Sequence, residues 1–231
     1  MNKHTIKAAW KSSLPVFAGY LVLGFGFGVL LSEVGYGPVW ALGMSIGIYA
    51  GAMQYVAAEL LASGTGIVSV ALTTLMVQAR HLFYGISLVE KYKGAGLKKI
   101  LMIFEITDET YAVVSAEKYP EGVHGHWYCF FVSLFDQIYW IIGCLLGSFV
   151  GTAFAFNAKG IEFSMTAIFV TVFVEQWRGQ KNHLPALIGL GCALICLLVF
   201  GSEKFLIPTM LLITALLFGL KNKLEEKKGE R

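Results

Sequence analysis

The chain contains six long stretches without a single charged residue, and these stretches constrain its fold more than any other feature. They cover residues 12–32, 34–58, 60–79, 137–158, 182–202 and 205–220. A helix of about 20 apolar residues is long enough to cross the hydrocarbon core of a bilayer. Only 14% of the 231 residues are charged, whereas soluble domains carry about 25%. The sequence therefore predicts an all-α, polytopic membrane protein.

Hydrophobicity divides the chain into a series of candidate membrane helices. Seven hydrophobic segments are candidates: 14–31, 38–61, 67–89, 128–155, 161–176, 185–201 and 204–220. The connections between them are short, so residues 1–231 are expected to form a single membrane domain. Segment 100–116 is shorter and carries carboxylates in its middle, which indicates an interfacial or re-entrant position. Segment 14–31 is not followed by an A-x-A cleavage site. We therefore interpret this segment as a first membrane helix rather than a signal peptide.

Lysine and arginine residues indicate the orientation, because positively charged loops stay in the cytoplasm. They concentrate at residues 3–11, 91–99, 178–181 and 221–231. Three hydrophobic segments lie between the first two clusters. Both clusters can be cytoplasmic only if the chain crosses the membrane an even number of times between them. We therefore expect segment 67–89 to be broken or re-entrant, because polar residues interrupt it. The prediction is six to seven transmembrane helices, with residues 1–12 and a charged tail at 221–231 in the cytoplasm; seven full crossings, with one basic cluster outside, remain the alternative.

A weak internal similarity points to two related halves. Gly37 begins a hydrophobic stretch that reaches Gln54, and Gly160 begins another that ends at Gln176. Corresponding helices of this kind predict an inverted repeat, with a substrate site at the interface between the repeats.

Glycines crowd the first hydrophobic segment at Gly24, Gly26 and Gly28. Gly24 and Gly28 share a helix face, which favours close helix packing. The alternative is that the helix opens there and its backbone groups bind a substrate.

Polar residues interrupt the second and third segments at Gln54, Gln78 and Arg80. An arginine in the hydrocarbon costs about 2.5–3.5 kcal/mol even on lenient insertion scales. Arg80 is therefore a candidate for binding a substrate carboxylate through its planar fork. An internal ion pair with Glu59 or Asp136 is the alternative.

Two neighbours of Arg80 are further candidates. His81 has an unperturbed pKa near 6.5, which suits a proton carrier, although a simple hydrogen-bonded histidine is the alternative. Tyr84 lies four residues after Arg80 and shares its helix face. It is expected to close the same site or to lie in an aromatic belt.

Carboxylates interrupt two further segments. Glu105, Asp108 and Glu109 have the spacing i, i+3 and i+4, which on a helix would bring them to one face and raise the pKa of at least one of them. That arrangement suits proton coupling or ammonium binding; a solvated acidic face balanced by nearby lysines is the alternative. Asp136 interrupts an apolar span and is expected to face Arg80 or a substrate amine.

Several function classes lack their signatures. The sequence has no Walker A motif, GxSxG, HExxH or GxGxxG between a strand and a helix, so no enzyme is predicted. Cys129, Cys144, Cys192 and Cys196 lack metal-ligand spacing and are expected to be small buried apolar residues. No metal or other cofactor is expected. The net charge of +3, with lysines at the ends of segments, argues against a nucleic-acid partner.

Five stretches in chain order form a recognisable set: GYLVLGFGFG, AGAMQY, QARHLFYG, ITDETYAV and SMTAIFVTVFVEQW. Together they resemble the AzlC/BrnF family of branched-chain amino acid exporters, from about residue 10 to about residue 220. The polar positions of the family's motifs fall on Gln54, Gln78, Arg80, Tyr84, Thr107, Asp108, Glu109 and Tyr111.

The resemblance implies a multi-pass subunit of the cytoplasmic (inner) membrane that exports leucine, isoleucine and valine, with methionine as a further substrate. It also implies a small second membrane subunit, similar to AzlD. The absence of a nucleotide-binding motif fits a secondary transporter driven by an ion or proton gradient. A channel or substrate-binding module of a larger importer is the alternative function; a membrane enzyme and a purely structural partner rank lower.

These considerations assign two sets of residues. The predicted substrate-binding residues are Gly24, Gly26, Gly28, Gln54, Gln78, Arg80, Tyr84 and Asp136. The predicted proton-coupling residues are His81, Glu105, Asp108 and Glu109. In this hypothesis Arg80 and opened backbone near Gly24–Gly28 hold the carboxylate, while Asp136 or the pair Asp108 and Glu109 neutralises the ammonium or carries the proton.

Overall fold

Helices are the regular elements of this chain wherever the structure describes it. The computed structural model describes residues 3–78, 80–116, 119–154, 170, 173–174, 177–178, 183–201 and 205–220. The helices are α1 (Lys3–Glu33), α2 (Pro38–Gly47), α3 (Gly51–Ala62), α4 (Ile67–Gln78), α5 (Arg80–Leu88), α6 (Lys98–Phe104), α7 (Asp108–Val114), α8 (Gly125–Ala153), α9 (Leu184–Phe200) and α10 (Leu206–Gly219). No strand occurs in those ranges, so the all-α class is confirmed for them.

The chain divides into two compact units, Met1–Ile168 and Phe169–Arg231. Helices α1 to α8 belong to the first unit, and α9 and α10 belong to the second. The expectation of a single membrane domain with cytoplasmic ends stays a prediction.

Two long helices, α1 and α8, form the centre of the first unit and pack against each other. Within the described residues, these two are long and apolar enough to cross a membrane as single helices, and α4 with α5 would add a third span if the pair is counted as one. Eight buried residues of α1 recur every three or four positions and form a stripe: Thr5, Ala9, Ser13, Val16, Tyr20, Gly24, Phe27 and Leu31. Gly28, Val29 and Leu30 are also buried, near the end of the helix. The predicted count of six to seven spans is not shown by these helices and stays a prediction.

Glycines let the backbones of α1 and α8 touch. A Cβ atom added at Gly24 would lie 2.9 Å from the backbone nitrogen of Cys144, and one added at Gly143 would lie 2.7 Å from the carbonyl oxygen of Tyr20. Gly28 meets the backbone of α8 in the same way, at Cys144 and Ser148. Close packing of small residues is thus the confirmed role of Gly24 and Gly28.

The predicted opening of the first helix is wrong. Helix α1 continues without a break from Lys3 to Glu33, because the backbone of α8 fills the space beside Gly24 and Gly28. Gly26 faces Tyr55 instead, whose hydroxyl donates a hydrogen bond of 2.6 Å to the carbonyl oxygen of Leu23.

Segment 38–61, expected to be one helix, is divided into α2 and α3. The break contains Tyr49, whose φ of 39° lies in the left-handed region that L-residues other than glycine rarely adopt. Glycines at positions 47 and 51 flank the break, and each lowers helix propensity by about 1 kcal/mol relative to alanine. Gly51 also lies against the ring of Trp140, because a Cβ atom there would be 3.1 Å from the indole.

The predicted break in segment 67–89 is confirmed. Helices α4 and α5 are bent by 46° relative to each other. Whether the pair spans the membrane or re-enters stays a prediction.

Segment 100–116 forms two short helices rather than one. Residues 105–107 separate α6 from α7, and the side chain of Thr107 caps α7 by accepting a hydrogen bond of 3.2 Å from the backbone N–H of Thr110. The expectation that Glu105, Asp108 and Glu109 share one helical face is therefore wrong, because the backbone turns between Glu105 and Asp108.

The second unit contains α9 and α10, which pack against each other. Helix α9 begins with a proline at its first turn and is followed by Gly201, whose φ is 73°. Cys192 and Cys196 are buried one turn apart on α9. All four cysteines are free and buried, as predicted. Most of segment 161–176, including the Gly160–Gln176 half of the proposed repeat, and the tail at 221–231 lie outside the described residues.

Candidate functional site

A layer of buried polar side chains separates two apolar clusters of the first unit. On α8, Cys129 and Val132 belong to one cluster, whereas Tyr139 and Trp140 belong to the other. Asp136 lies between them and is completely buried. A carboxyl group at this depth is costly unless it is paired, hydrogen-bonded or protonated, so the layer is a candidate site.

Helix α7 connects this layer to Arg80. Asp108, at the first position of α7, forms an ion pair with Arg80 and accepts a hydrogen bond of 2.5 Å from the hydroxyl of Tyr84. We call these three residues the Arg80 group. The ion-pair partners expected for Arg80 are therefore wrong: Glu59 is exposed, and Asp136 is buried against α7.

Arg80 retains the capacity to bind another acceptor. About one third of its side chain (33%) is exposed, and its buried Nε has no hydrogen-bond partner. The guanidinium group carries five N–H donors in a fixed fork, so the ion pair with Asp108 does not use all of them.

Aromatic rings pack beside the Arg80 group. The rings of Tyr84 and Tyr111 stack with their centroids 4.5 Å apart. His81 lies edge-on to Tyr84 at 5.6 Å, and its Nδ1 is 3.2 Å from the carbonyl oxygen of Gln78. The side-chain oxygen of Gln78 is buried and has no hydrogen-bond partner. Positions 78, 80, 81 and 84 thus lie close together where α4 ends and α5 begins, and Arg80 and Tyr84 contact the same carboxylate, Asp108, in agreement with their predicted shared face.

The next two residues of α7 face the buried layer. Glu109 accepts a hydrogen bond of 2.8 Å from the hydroxyl of Tyr20 on α1. The same Tyr20 hydroxyl lies 2.5 Å from the hydroxyl oxygen of Thr107. Thr110 donates a hydrogen bond of 2.8 Å to Asp136 on α8. Three successive residues of α7 therefore contact three different helices.

Glu105 lies in the link between α6 and α7 and is completely buried. Neither of its carboxyl oxygens has a hydrogen-bond partner. Burial, and secondarily the nearby charge of Asp136, raise the pKa of Glu105 to about 8. Burial also raises the pKa of Glu109. A carboxyl group of this kind can bind or release a proton near neutral pH.

Gln54 and Trp140 complete the buried layer from α3 and α8. The indole N–H of Trp140 donates a hydrogen bond of 2.8 Å to Oε1 of Gln54, while Nε2 of Gln54 has no partner. The hydroxyl of Tyr49 and that of Ser133 are also buried without partners. We call these residues the buried polar cluster: Tyr20, Tyr49, Gln54, Glu105, Thr107, Glu109, Thr110, Ser133, Asp136 and Trp140.

The structure thus sorts the predicted site residues into three sets. Gln78, Arg80, His81, Tyr84 and Asp108 lie in or beside the Arg80 group. Gln54, Glu105, Glu109 and Asp136 lie in the buried polar cluster. Gly24 and Gly28 pack against α8, and Gly26 faces Tyr55. Within the described residues, no three His, Cys, Asp or Glu side chains are arranged to hold a metal ion.

Sequence reasoning missed Tyr20, Tyr49, Thr110 and Trp140. Helical spacing offered a signal for two of them: Trp140 follows Asp136 by four residues, and Tyr20 precedes Gly24 by four, so each shares a face with a residue already singled out. Nothing in the apolar run around Tyr49 distinguishes it.

Comparison with known proteins places this arrangement in context. The family model described as "AzlC protein" matches residues 15–154. The chain is 40% identical over 231 residues to the branched-chain amino acid transport protein AzlC of Bacillus subtilis, covering 98% of this chain and 91% of that protein. It is 42% identical to a membrane protein of Haemophilus influenzae, with 96% and 93% covered. The inner membrane protein YgaZ of Escherichia coli is 27% identical, with 90% and 85% covered. No solved structure matches.

Proposed function

The chain belongs to the AzlC family, and on that premise we propose that it is a secondary transporter exporting leucine, isoleucine and valine, with methionine as a further substrate. The observation that carries the substrate class is its 40% identity, over 98% of its length, to the branched-chain amino acid transport protein of Bacillus subtilis. No enzymatic activity is proposed.

The Arg80 group supports binding of an amino acid. All branched-chain amino acids carry an α-carboxylate, and a guanidinium fork binds a carboxylate through two parallel hydrogen bonds. In the proposed complex the substrate carboxylate takes the place of Asp108 on Arg80. The freed carboxylate of Asp108 then lies beside the substrate ammonium, and Tyr84 donates to either carboxylate.

Selectivity among the substrates should be modest. One methylene group in an apolar pocket is worth only about 1–3 kcal/mol. The stacked rings of Tyr84 and Tyr111 lie beside Arg80 and pack against the apolar cluster that contains Val132 of α8. We propose that such apolar side chains receive the branched chain of the substrate.

We further propose that a proton gradient drives export. The sequence has no Walker A motif, whereas the candidate site contains several buried carboxyl groups and His81. The proposed setting is the cytoplasmic (inner) membrane, crossed six to seven times, with a small AzlD-like membrane subunit as partner. An inverted repeat would place the site at the interface between the two halves.

The test is efflux of labelled leucine from preloaded cells. This chain alone, this chain with its small membrane partner, and both chains after treatment with a protonophore are compared at equal leucine loading. We expect efflux that requires both chains and is abolished by the protonophore. Absence of leucine efflux from a folded complex under all three conditions would contradict the proposed function.

A further inference from the structure

We propose that Glu105 and Asp136 form the proton-binding site of this transporter, and that helix α7 links that site to the Arg80 group. This inference rests on the transport function proposed above and specifies how the gradient would act on the chain. The sequence predicts proton coupling at Glu105, Asp108 and Glu109, and predicts that Asp136 either neutralises the substrate ammonium or carries the proton. In the structure Asp108 pairs with Arg80, whereas Glu105 and Asp136 both lie in the buried polar cluster.

The first observation is that these two carboxyl groups are buried with too few partners. Glu105 and Asp136 are both 0% exposed. Both oxygens of Glu105 and one oxygen of Asp136 have no hydrogen-bond partner. In the described part of the chain, no ion pair involves either residue, because Arg80 is paired with Asp108. A buried carboxylate without a cation is strongly destabilised, and binding a proton relieves that penalty.

The second observation is a polar group from another helix. Tyr49 is 2% exposed, and its hydroxyl lies beside the side chain of Thr110. The hydroxyl lies within electrostatic range of both Asp136 and Glu105. Tyr49 occupies the break between α2 and α3, and Glu105 occupies the break between α6 and α7. Irregular backbone inside a membrane protein is tolerated where it is buried in protein or lines a cavity, and Tyr49 and Glu105 are both buried.

The titratable neighbours of the two carboxyl groups are acids and phenols rather than cations. Those that interact electrostatically with Glu105 are Asp136, Tyr49 and Tyr92. Those that interact with Asp136 are Glu105, Glu109, Tyr20, Tyr49 and Tyr128. None of these neighbours can neutralise a second negative charge, which favours at least one bound proton. The pKa of Glu105, about 8, allows that proton to exchange near neutral pH.

Helix α7 supplies the connection to substrate. Asp108 contacts Arg80, and Thr110, two residues later, donates to Asp136. Helix α7 is only seven residues long, so a backbone movement that accompanies the release of Asp108 from Arg80 would also shift Thr110 against Asp136. That shift changes how strongly the charged form of Asp136 is stabilised, and substrate binding is thereby linked to proton binding.

The test separates proton-driven flux from substrate exchange. Inside-out membrane vesicles containing this chain and its small membrane partner are assayed for leucine uptake driven by an acidic lumen, and for leucine–leucine exchange at equal pH. In Glu105→Gln and Asp136→Asn we expect the driven flux to fall at least tenfold while exchange stays within about twofold of wild type. Glu90→Gln removes an exposed carboxylate (82% side-chain exposure) and should change neither flux.

Two results would overturn the proposal. Driven flux within twofold of wild type in both variants would show that these carboxyl groups do not carry the proton. Loss of exchange as well, at normal protein abundance, would place them in the substrate site. Failure of the wild type itself to exchange leucine would instead refute the proposed function.

Thr110→Val keeps both carboxyl groups and provides a test if the charge-removing variants do not reach the membrane. The variant removes the hydroxyl that donates to Asp136, so the charged form of the site loses stabilisation. The pH midpoint of driven flux should then move upward by about one to two units, since a hydrogen bond to a charged group is worth about 1.5–3 kcal/mol. An unchanged midpoint would argue against the link through α7.

Discussion

Arg80 is the residue at which the charge and the shape of a side chain can be tested separately. We expect Arg80→Lys to lower leucine efflux at least about tenfold, because lysine keeps the positive charge beside Asp108 but loses the planar fork. One charge-assisted hydrogen bond is worth about 1.5–3 kcal/mol, and about 1.4 kcal/mol corresponds to a factor of ten. The measurement is the initial efflux rate, normalised to the amount of protein in the membrane.

The matched control is Arg178→Lys, at an exposed arginine of the second unit, which should transport as the wild type does. Normal efflux by Arg80→Lys would show that Arg80 does not bind the substrate carboxylate.

Glu105 should make the stability of the protein depend on pH. Its pKa is about 8 in the folded chain, against an ordinary value of 4.5. The stabilising contribution of the neutral side chain is therefore fully present below about pH 4.5 and is lost as the pH rises through 8, since the unfolded chain releases the proton first. We expect the melting temperature in detergent to fall between pH 5 and pH 8.5, and to fall less in Glu105→Gln. An equal fall in both proteins would mean that Glu105 is not held protonated.

Individual site residues could be predicted where their chemistry conflicts with a membrane. Arg80, Asp136 and Gln54 interrupt apolar runs, and each lies in or beside the candidate site. The partners of Arg80 and Asp136 could not be predicted, because these depend on where α7 begins. The turn at residues 105–107 directs Asp108 toward Arg80, and spacing along a continuous helix cannot reveal it.

At the scale of elements, the contact between α1 and α8 allows a sharp prediction. Gly24→Ala should destabilise the protein by about 1–3 kcal/mol, the usual cost of overpacking, because the added methyl group would lie 2.9 Å from the backbone nitrogen of Cys144. Gly19→Ala on the same helix is the control, since no atom lies within 4 Å of its added Cβ. Thermal unfolding of both variants in the same detergent provides the measurement. Equal stability of the two variants would contradict backbone contact at Gly24.

The helix breaks show what hydropathy can and cannot reveal. The break in segment 67–89 was predictable, since Gln78, Arg80 and His81 cannot face lipid. The break around Tyr49 was not, because residues 48–53 are apolar or glycine and the chain departs from the helix through contacts with α8. Gly24 and Gly28 indicate that α1 packs closely against another helix, but they do not identify that helix. Gly143 and Gly147 of α8 have the same spacing of four and mark it as the partner.

At the scale of the whole molecule, the basic clusters predict the topology. Reporter domains fused after residues 11, 95, 180 or 225 should all be cytoplasmic, because lysine- and arginine-rich loops stay inside. If segment 38–61 crosses the membrane, a reporter fused after residue 36 and one fused after residue 64 should lie on opposite sides of it. The measurement pairs a reporter active only in the cytoplasm with one active only outside it. A reporter after residue 95 that is active outside would favour three full crossings before it.

Backbone contact between α1 and α8 also bears on how such a transporter could move. Where glycines bring two main chains together, no side-chain rotamer can yield to let the helices slide or rotate. We therefore expect this pair to stay together as the stationary part of the first unit, with Asp136 and Tyr20 in its wall. Helices α2 to α7 are short, and breaks at three places give them hinges. Any motion that admits and releases substrate would be carried by those short helices as they turn against a fixed pair.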